Sequence, residues 1–193
     1  MASSSILDNK EFFSPPKSDI NSPIESGKTP QYIIVCKEFF SSSMDTGEDT
    51  AIGENGTPCF EITMGSARPV TYDSSGELSG DGRILFRNTI IRMRYGEWAP
   101  KIQEYMFNGK KADSIVVHRM SNINGTNITV QKLEFETCLI KTYTQVEDSI
   151  IFSFCFLLFR DIKIVFGTDD GTKSGQIAVQ FDVMAAKGEL KEA

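Results

Sequence analysis

A chain of 193 residues, 40% of them hydrophobic, is the length of one domain and can bury roughly two-thirds of the surface its unfolded form exposes. A net charge of −6 and an isoelectric point near 4.9 exclude the basic stripe with which a general nucleic-acid binder displaces phosphate counterions. The longest apolar run is about ten residues, short of the roughly 20 that span a bilayer, so no membrane insertion is expected.

Residues 1–30 place Pro15-Pro16, Pro23 and Pro30 among Ser, Asn, Asp and Lys. That composition buries too little to offset its ordering entropy and reads as a flexible N-terminal arm, with Ile6-Leu7 and Phe12-Phe13 as anchors should it fold on a partner. The first residues lack a basic stretch followed by an apolar one, so no secretory signal is expected and the chain reads as made and folded in the cytoplasm.

From Tyr32 the pattern is β. YIIVCKEFF reads as a first strand and CFEITM as a second, with the polar loop SSSMDTGEDTAIGENGT between them. A second polar loop, Thr71 to Gly82, precedes the strand ILFRNTIIRMRY, and a Gly/Ser loop of this length predicts a task such as reaching a neighbour. One helix is expected over EWAPKIQEYMFNGKK: Pro100 suits the first turn, Trp98, Ile102, Tyr105 and Met106 share a face, and Asn108-Gly109 stops it. SIVVHRM and ITVQKLEFETCLIKTYTQV form a hairpin about Asn124-Gly125.

The run after Asp148 is apolar on both sides. As one strand it sets Ile150, Phe152, Phe154, Phe156 and Leu158 on one face, and Ile151, Cys155, Leu157 and Phe159 on the other. Hiding both needs a barrel interior behind and a helix or a second subunit in front, since exposed apolar surface forfeits about 25 cal/mol per Å². A last strand, GQIAVQFDV, sets Ile177, Val179, Phe181 and Val183 on one face. The fold class is therefore mainly β: a small antiparallel barrel of two packed sheets with one short flanking helix, over residues 31–190, followed by a tail at 191–193.

Chemistry is harder to find. Cys36, Cys59, Cys138 and Cys155 lie too far apart for a C-x-x-C pair or a zinc half-site, and three of them sit inside apolar alternation as buried thiols do. The single histidine, His118, has no nucleophile marked beside it. Asp169-Asp170, Glu48-Asp49 and Glu147-Asp148 read as solvated turns, and no glycine-rich loop has phosphate-binding spacing. The residues thus mark no catalytic, cofactor-binding or metal site, and a non-enzyme is expected.

The order of these elements and several strings resemble the Hcp family, the haemolysin-coregulated proteins that form the inner tube of type VI secretion systems. The resemblance runs from about Tyr32 to Leu190. An early strand pair leads into VTYDSSGELSGDG and RILFRNTIIRMRY, a short helix ends in a small-residue turn (APKIQEYMFNGKKAD), and ITVQKLEFETCLIKTYTQ and DSIIFSFCFLLFRDIKIVF follow as long strands. DGTKSGQIAVQFDVMAAKGEL is similar to the family's last turn and strand. The proline-rich arm and the acidic loop after the first strand depart from the family, which marks a divergent member.

The resemblance implies a homohexameric ring that stacks into a hollow tube and carries or chaperones effectors. It also implies contacts with a contractile sheath, tip or spike and baseplate proteins, and exit through the secretion apparatus without a signal peptide. On this reading Val70, Tyr72, Leu78, Ile151, Leu157 and Phe159 contact neighbouring subunits, while Lys101, Glu104 and Lys110 face the lumen and its cargo. A tail-tube protein of a phage-like particle and a monomeric ligand-binding barrel are the alternatives. No cofactor is implied.

Overall fold

The computed structural model describes residues 31–40, 56–67, 71–72, 78–79, 84–123, 126–166, 173–183 and 187–192. The expected arm at 1–30, the acidic loop, and the Asn124-Gly125 and Asp169-Asp170 turns lie outside them.

The first expected strand is shorter than its apolar length. β1 covers Tyr32–Val35 and ends in a turn in which the Phe39 and Phe40 amides donate to the Cys36 carbonyl at 3.2 and 3.0 Å. Turning the chain there sends both phenylalanines into the core, where straight strand geometry would point them to opposite sides. β2 (Gly56–Cys59) pairs with β1, and β3 (Glu61–Thr63) pairs with β8 (Thr89–Arg94). Only Phe60 separates β2 from β3, and its amide donates to the Arg92 carbonyl of β8 at 3.0 Å.

That short link closes a barrel. β9 (Lys111–Ile123) pairs with β1 and with β10 (Thr126–Val146), β10 pairs with β11 (Ser149–Cys155), and β11 pairs with β8, all antiparallel. A complete circuit leaves none of these strands as a long open edge, which is how barrels escape edge-to-edge aggregation.

β10 is long enough to serve two partners on one side. Gln131 to Glu136 pair with β12 (Leu158–Phe166), and Leu139 to Val146 pair with β11. Thr137, at the changeover, sits at φ 55°, a left-handed backbone that β-branched residues rarely adopt. β12 continues through β13 (Lys173–Asp182) to β14 (Lys187–Glu192), a three-stranded wing on the barrel.

The segment expected as one strand through Phe159 is two. Phe156 and Leu157 interrupt it, so Phe159 swings to the core side in place of Leu158. Phe159 then stacks on Phe135 at 5.3 Å between centroids, within a cluster that includes Phe86, Phe156 and Phe181. Such ring pairs contribute about 0.5–1.5 kcal/mol each beyond their area.

Within the expected Thr71 to Gly82 loop, two short segments are described and pair with each other. β4 (Ser66–Ala67) pairs with β7 (Leu85–Phe86), and β5 (Thr71–Tyr72) pairs with β6 (Leu78–Ser79). These are two successive two-stranded pairings in the chain between β3 and β8.

The helix forms as its sequence predicts. α1 covers Ala99–Phe107 with Pro100 in the first turn. Gly109 at φ +58° ends it: its amide donates to the Met106 carbonyl and that of Lys110 to the Tyr105 carbonyl, a Schellman closure. Ala99 and Ile102 are buried against the barrel, and Tyr105 and Trp98 meet Phe39 and Phe40 edge to face at 5.1 and 5.9 Å.

Candidate functional site

The barrel interior is filled. Phe135, Phe152, Phe154, Ile91, Met93, Ile115 and Val117 are fully buried in one core, which leaves the barrel packed with its own side chains in the manner of a small structural barrel.

All four cysteines are free thiols. Burial pushes the thiols of Cys59 and Cys138 up to about 12, and burial with a hydrogen bond to Glu38 at 3.2 Å drives that of Cys36 higher still. At neutral pH these sulfurs are protonated and non-nucleophilic. His118 is a buried strand residue with Nδ1 3.4 Å from the Thr129 hydroxyl. Among the described residues no three His, Cys, Asp or Glu side chains stand together as a metal site, and no helix is long and apolar enough to cross a membrane.

The surface is better furnished than the interior. Across β10 and β12, Glu134 takes Lys132 at 2.6 Å and Arg160 at 3.2 Å, and Arg160 also reaches Glu136 at 2.7 Å and the Gln180 amide oxygen at 3.2 Å. Partial burial works to raise the Glu134 carboxyl, but Lys132 and Arg160 outweigh it and hold it below the usual carboxylate range.

The residues expected at subunit contacts fall in three places. Tyr72 and Leu78 are brought together as backbone partners of β5 and β6, while Val70 lies outside the described residues. Leu157 is 40% exposed in the break between β11 and β12. Ile151 and Phe159 are each 8% exposed within the single chain. From Ser149 to Phe154 both faces of β11 are buried without a second copy, Cys155 being half-buried: Ile150, Phe152 and Phe154 join the core, and on the other face Ile151 is covered and the Ser153 hydroxyl meets that of Thr142 at 2.6 Å. The expected cover of a helix or a second subunit is not needed for Ser149 to Phe154, which the chain itself buries, while Leu157 stays exposed.

Lys101, Glu104 and Lys110 are brought together on the outer side of α1. Lys110 Nζ binds Glu104 Oε1 at 2.6 Å and lies over the Tyr105 ring at 5.6 Å. The sequence reading missed Phe107, which stands 75% exposed on the same side, and it missed the exposure of Ile177 and Val179 on β13. A helical wheel carries the first signal, since Phe107 follows Pro100 and Glu104 at spacings of seven and three. The second depended on where the wing extends past the core.

No protein-family model matches the chain, and no curated protein sequence matches it. Solved structures do. A type six secretion system protein aligns with a TM-score of 0.67 at 12% identity, covering 83% of this chain and all of its own. Hcp1 from Salmonella typhimurium aligns at 0.60 and 13%, covering 82% of this chain and 97% of its own. A type VI secretion system effector from Yersinia pestis aligns at 0.55 and 11%, with 79% and 99% covered. At such identities the likeness is one of fold, and over nearly the whole length of those proteins the fold of this chain is the Hcp fold, in divergent form.

Proposed function

We propose that this protein is a non-enzymatic structural subunit of a type VI secretion or related contractile injection device. It assembles as hexameric rings that stack into the inner tube, carries or chaperones effectors, and leaves the cell with them. The observation that supports this most is the alignment of 83% of this chain with a type six secretion system protein along that protein's whole length. The burial of Phe135, Phe152 and Phe154 in one core favours a barrel packed by its own side chains over the monomeric ligand-binding reading.

In this reading the segment with Val70, Tyr72 and Leu78 reaches an adjacent subunit, and Leu157 joins the contact. Ile151 and Phe159 support that surface from beneath. Lys101, Glu104 and Lys110 face the lumen. Head-to-tail contacts that close make the ring, and the same contacts repeated along the axis make the tube. Sheath, tip and baseplate proteins are the outer partners.

Light scattering after size exclusion tests this. The expected mass is that of six copies of the 21.5 kDa chain, with rings seen by electron microscopy. A lone protomer at micromolar concentration overturns it.

A further inference from the structure

Alternation along β1 and β9 fixes which way their side chains point. Ile34 and Val117, paired across the two strands, are fully buried in the core, so their neighbours Ile33 and His118, also paired, stand on the outer face. An antiparallel strand whose core face is packed ordinarily leaves the other face wet. Here Ile33 is 8% and His118 7% exposed, and Val35, Pro58, Val116 and Met120 on the same face are half-buried.

Burial that deep on the outside of a barrel needs a second layer above it. Among the described elements none supplies one. β1 and β9 make their main contacts with each other, β2 and β10, all within one sheet, and α1 packs through Ala99 and Ile102 into the core on the opposite side. Thr129, whose hydroxyl is 3.4 Å from His118 Nδ1, is itself a sheet neighbour on β10.

Residues 1–30 lead directly into this patch, because Gln31 continues the β1 pairing and its carbonyl accepts from the Met120 amide at 2.8 Å. The aliphatic side chains nearest β1 along that segment are Ile24 and Ile20, and the Ser26-Gly27 pair between them and β1 favours a turn back. At about 3.3 Å per residue the intervening chain suffices to go out and return over a four-residue strand. The other segment bordering the patch, 41–55, offers Met44 and Ile52 among Asp45, Glu48, Asp49 and Glu54, a poor match to an apolar face.

We propose that the segment before β1 folds back over the outer face of β1 and β9 of its own chain, with Ile20 and Ile24 seated on Ile33, Val116 and the His118 ring. It is a strap that forms an outer layer of the barrel and withdraws an apolar face from contact with other copies. The contact is made within one protomer, so it stands whether or not rings form.

The test labels the single histidine of the full-length chain with diethyl pyrocarbonate, followed by absorbance and by the mass of the His118 peptide. Wild type is expected to react slowly, at a rate that dilution leaves unchanged. Ile20→Asp with Ile24→Asp is expected to react about tenfold faster or more, as a shifted opening equilibrium requires. Ile20→Ser with Ile24→Ser acts in the same direction and replaces that pair if circular dichroism finds its strands lost. Met44→Asp with Ile52→Asp is expected to match wild type. A wild-type histidine as reactive as free imidazole, or folded Ile20 and Ile24 variants no faster than wild type, overturns the proposal. Acceleration in the Met44 and Ile52 variant assigns the cover to that segment, and acceleration of wild type on dilution assigns it to a second copy; either result overturns the proposal as well.

Discussion

Gly96, between β8 and α1, is a position where a single methyl group has nowhere to go. A Cβ built there meets the Trp98 ring at 2.4 to 2.7 Å, and that ring is itself packed on Phe40. Gly96→Ala must therefore push the indole off its bed, at about 1–3 kcal/mol. A lowered urea midpoint with a shifted emission of this sole tryptophan is the expected result, and an unchanged midpoint would count against the packing described. The thiols make a second prediction at this scale. Because burial raises the Cys59 thiol to about 12, the folded chain keeps a proton that the unfolded chain releases from about pH 8.5 upward. Its contribution is fully present below that pH and is lost as pH rises towards 12. Stability followed by urea melts should fall across this alkaline window, and Cys59→Ala should flatten part of the slope.

Two elements owe their form to particular residues. β10 changes partner from β12 to β11 at Thr137, which adopts φ 55°, a conformation that costs a β-branched residue about 1–2 kcal/mol. Part of that cost should return in Thr137→Gly, after the extra entropy of glycine in the unfolded chain, for a net gain of about 0.5–1 kcal/mol in chemical denaturation. A net loss would mean that the hydroxyl or methyl of Thr137 matters more than its backbone. One face of the β10–β12 ladder carries ion pairs: Glu134, held below the usual carboxylate range, stabilises the fold above its unfolded pKa and ceases to do so as pH falls through the lower, folded one. Glu134→Gln should accordingly flatten the acid limb of a plot of melting temperature against pH. An acid limb identical to wild type would assign that slope to other carboxylates. At this scale the sequence was a fair guide to existence and a poor one to boundaries. Pro100 and Asn108-Gly109 bracket α1 because both act through backbone constraints local to the residue. The end of β1 at Val35 and the break at Phe156-Leu157 were not legible, because apolar alternation runs through both and only the shape of the core decides where the chain turns.

The whole molecule joins a closed barrel, a side wing and the paired strands β4–β7 and β5–β6. If the β5–β6 pair serves assembly, replacing residues 73–77 and the flanking β5 and β6 by a two-residue Asn-Gly turn should leave the barrel's melting temperature nearly unchanged and reduce the ring mass to that of a protomer. A shortened chain that still forms rings would remove that pair from the subunit contact. A barrel so rich in pairings between distant residues is also expected to fold on the millisecond-to-second scale, more slowly than a helical bundle of its length.

By itself the amino-acid order determined the β character, the single capped helix and the β9–β10 hairpin, because period-two alternation, proline, glycine and turn pairs act over a few neighbouring residues. It also carried the family likeness, in the succession of elements. Only the tertiary structure decided that β2 and β3 meet across Phe60 to close the barrel, that both faces of β11 from Ser149 to Phe154 are buried within one chain, and that Phe107, Ile177 and Val179 are left at the surface. Those outcomes depend on which distant segments occupy the same space, and hydrophobicity reports only that a side chain favours burial, not whether a partner arrives to bury it.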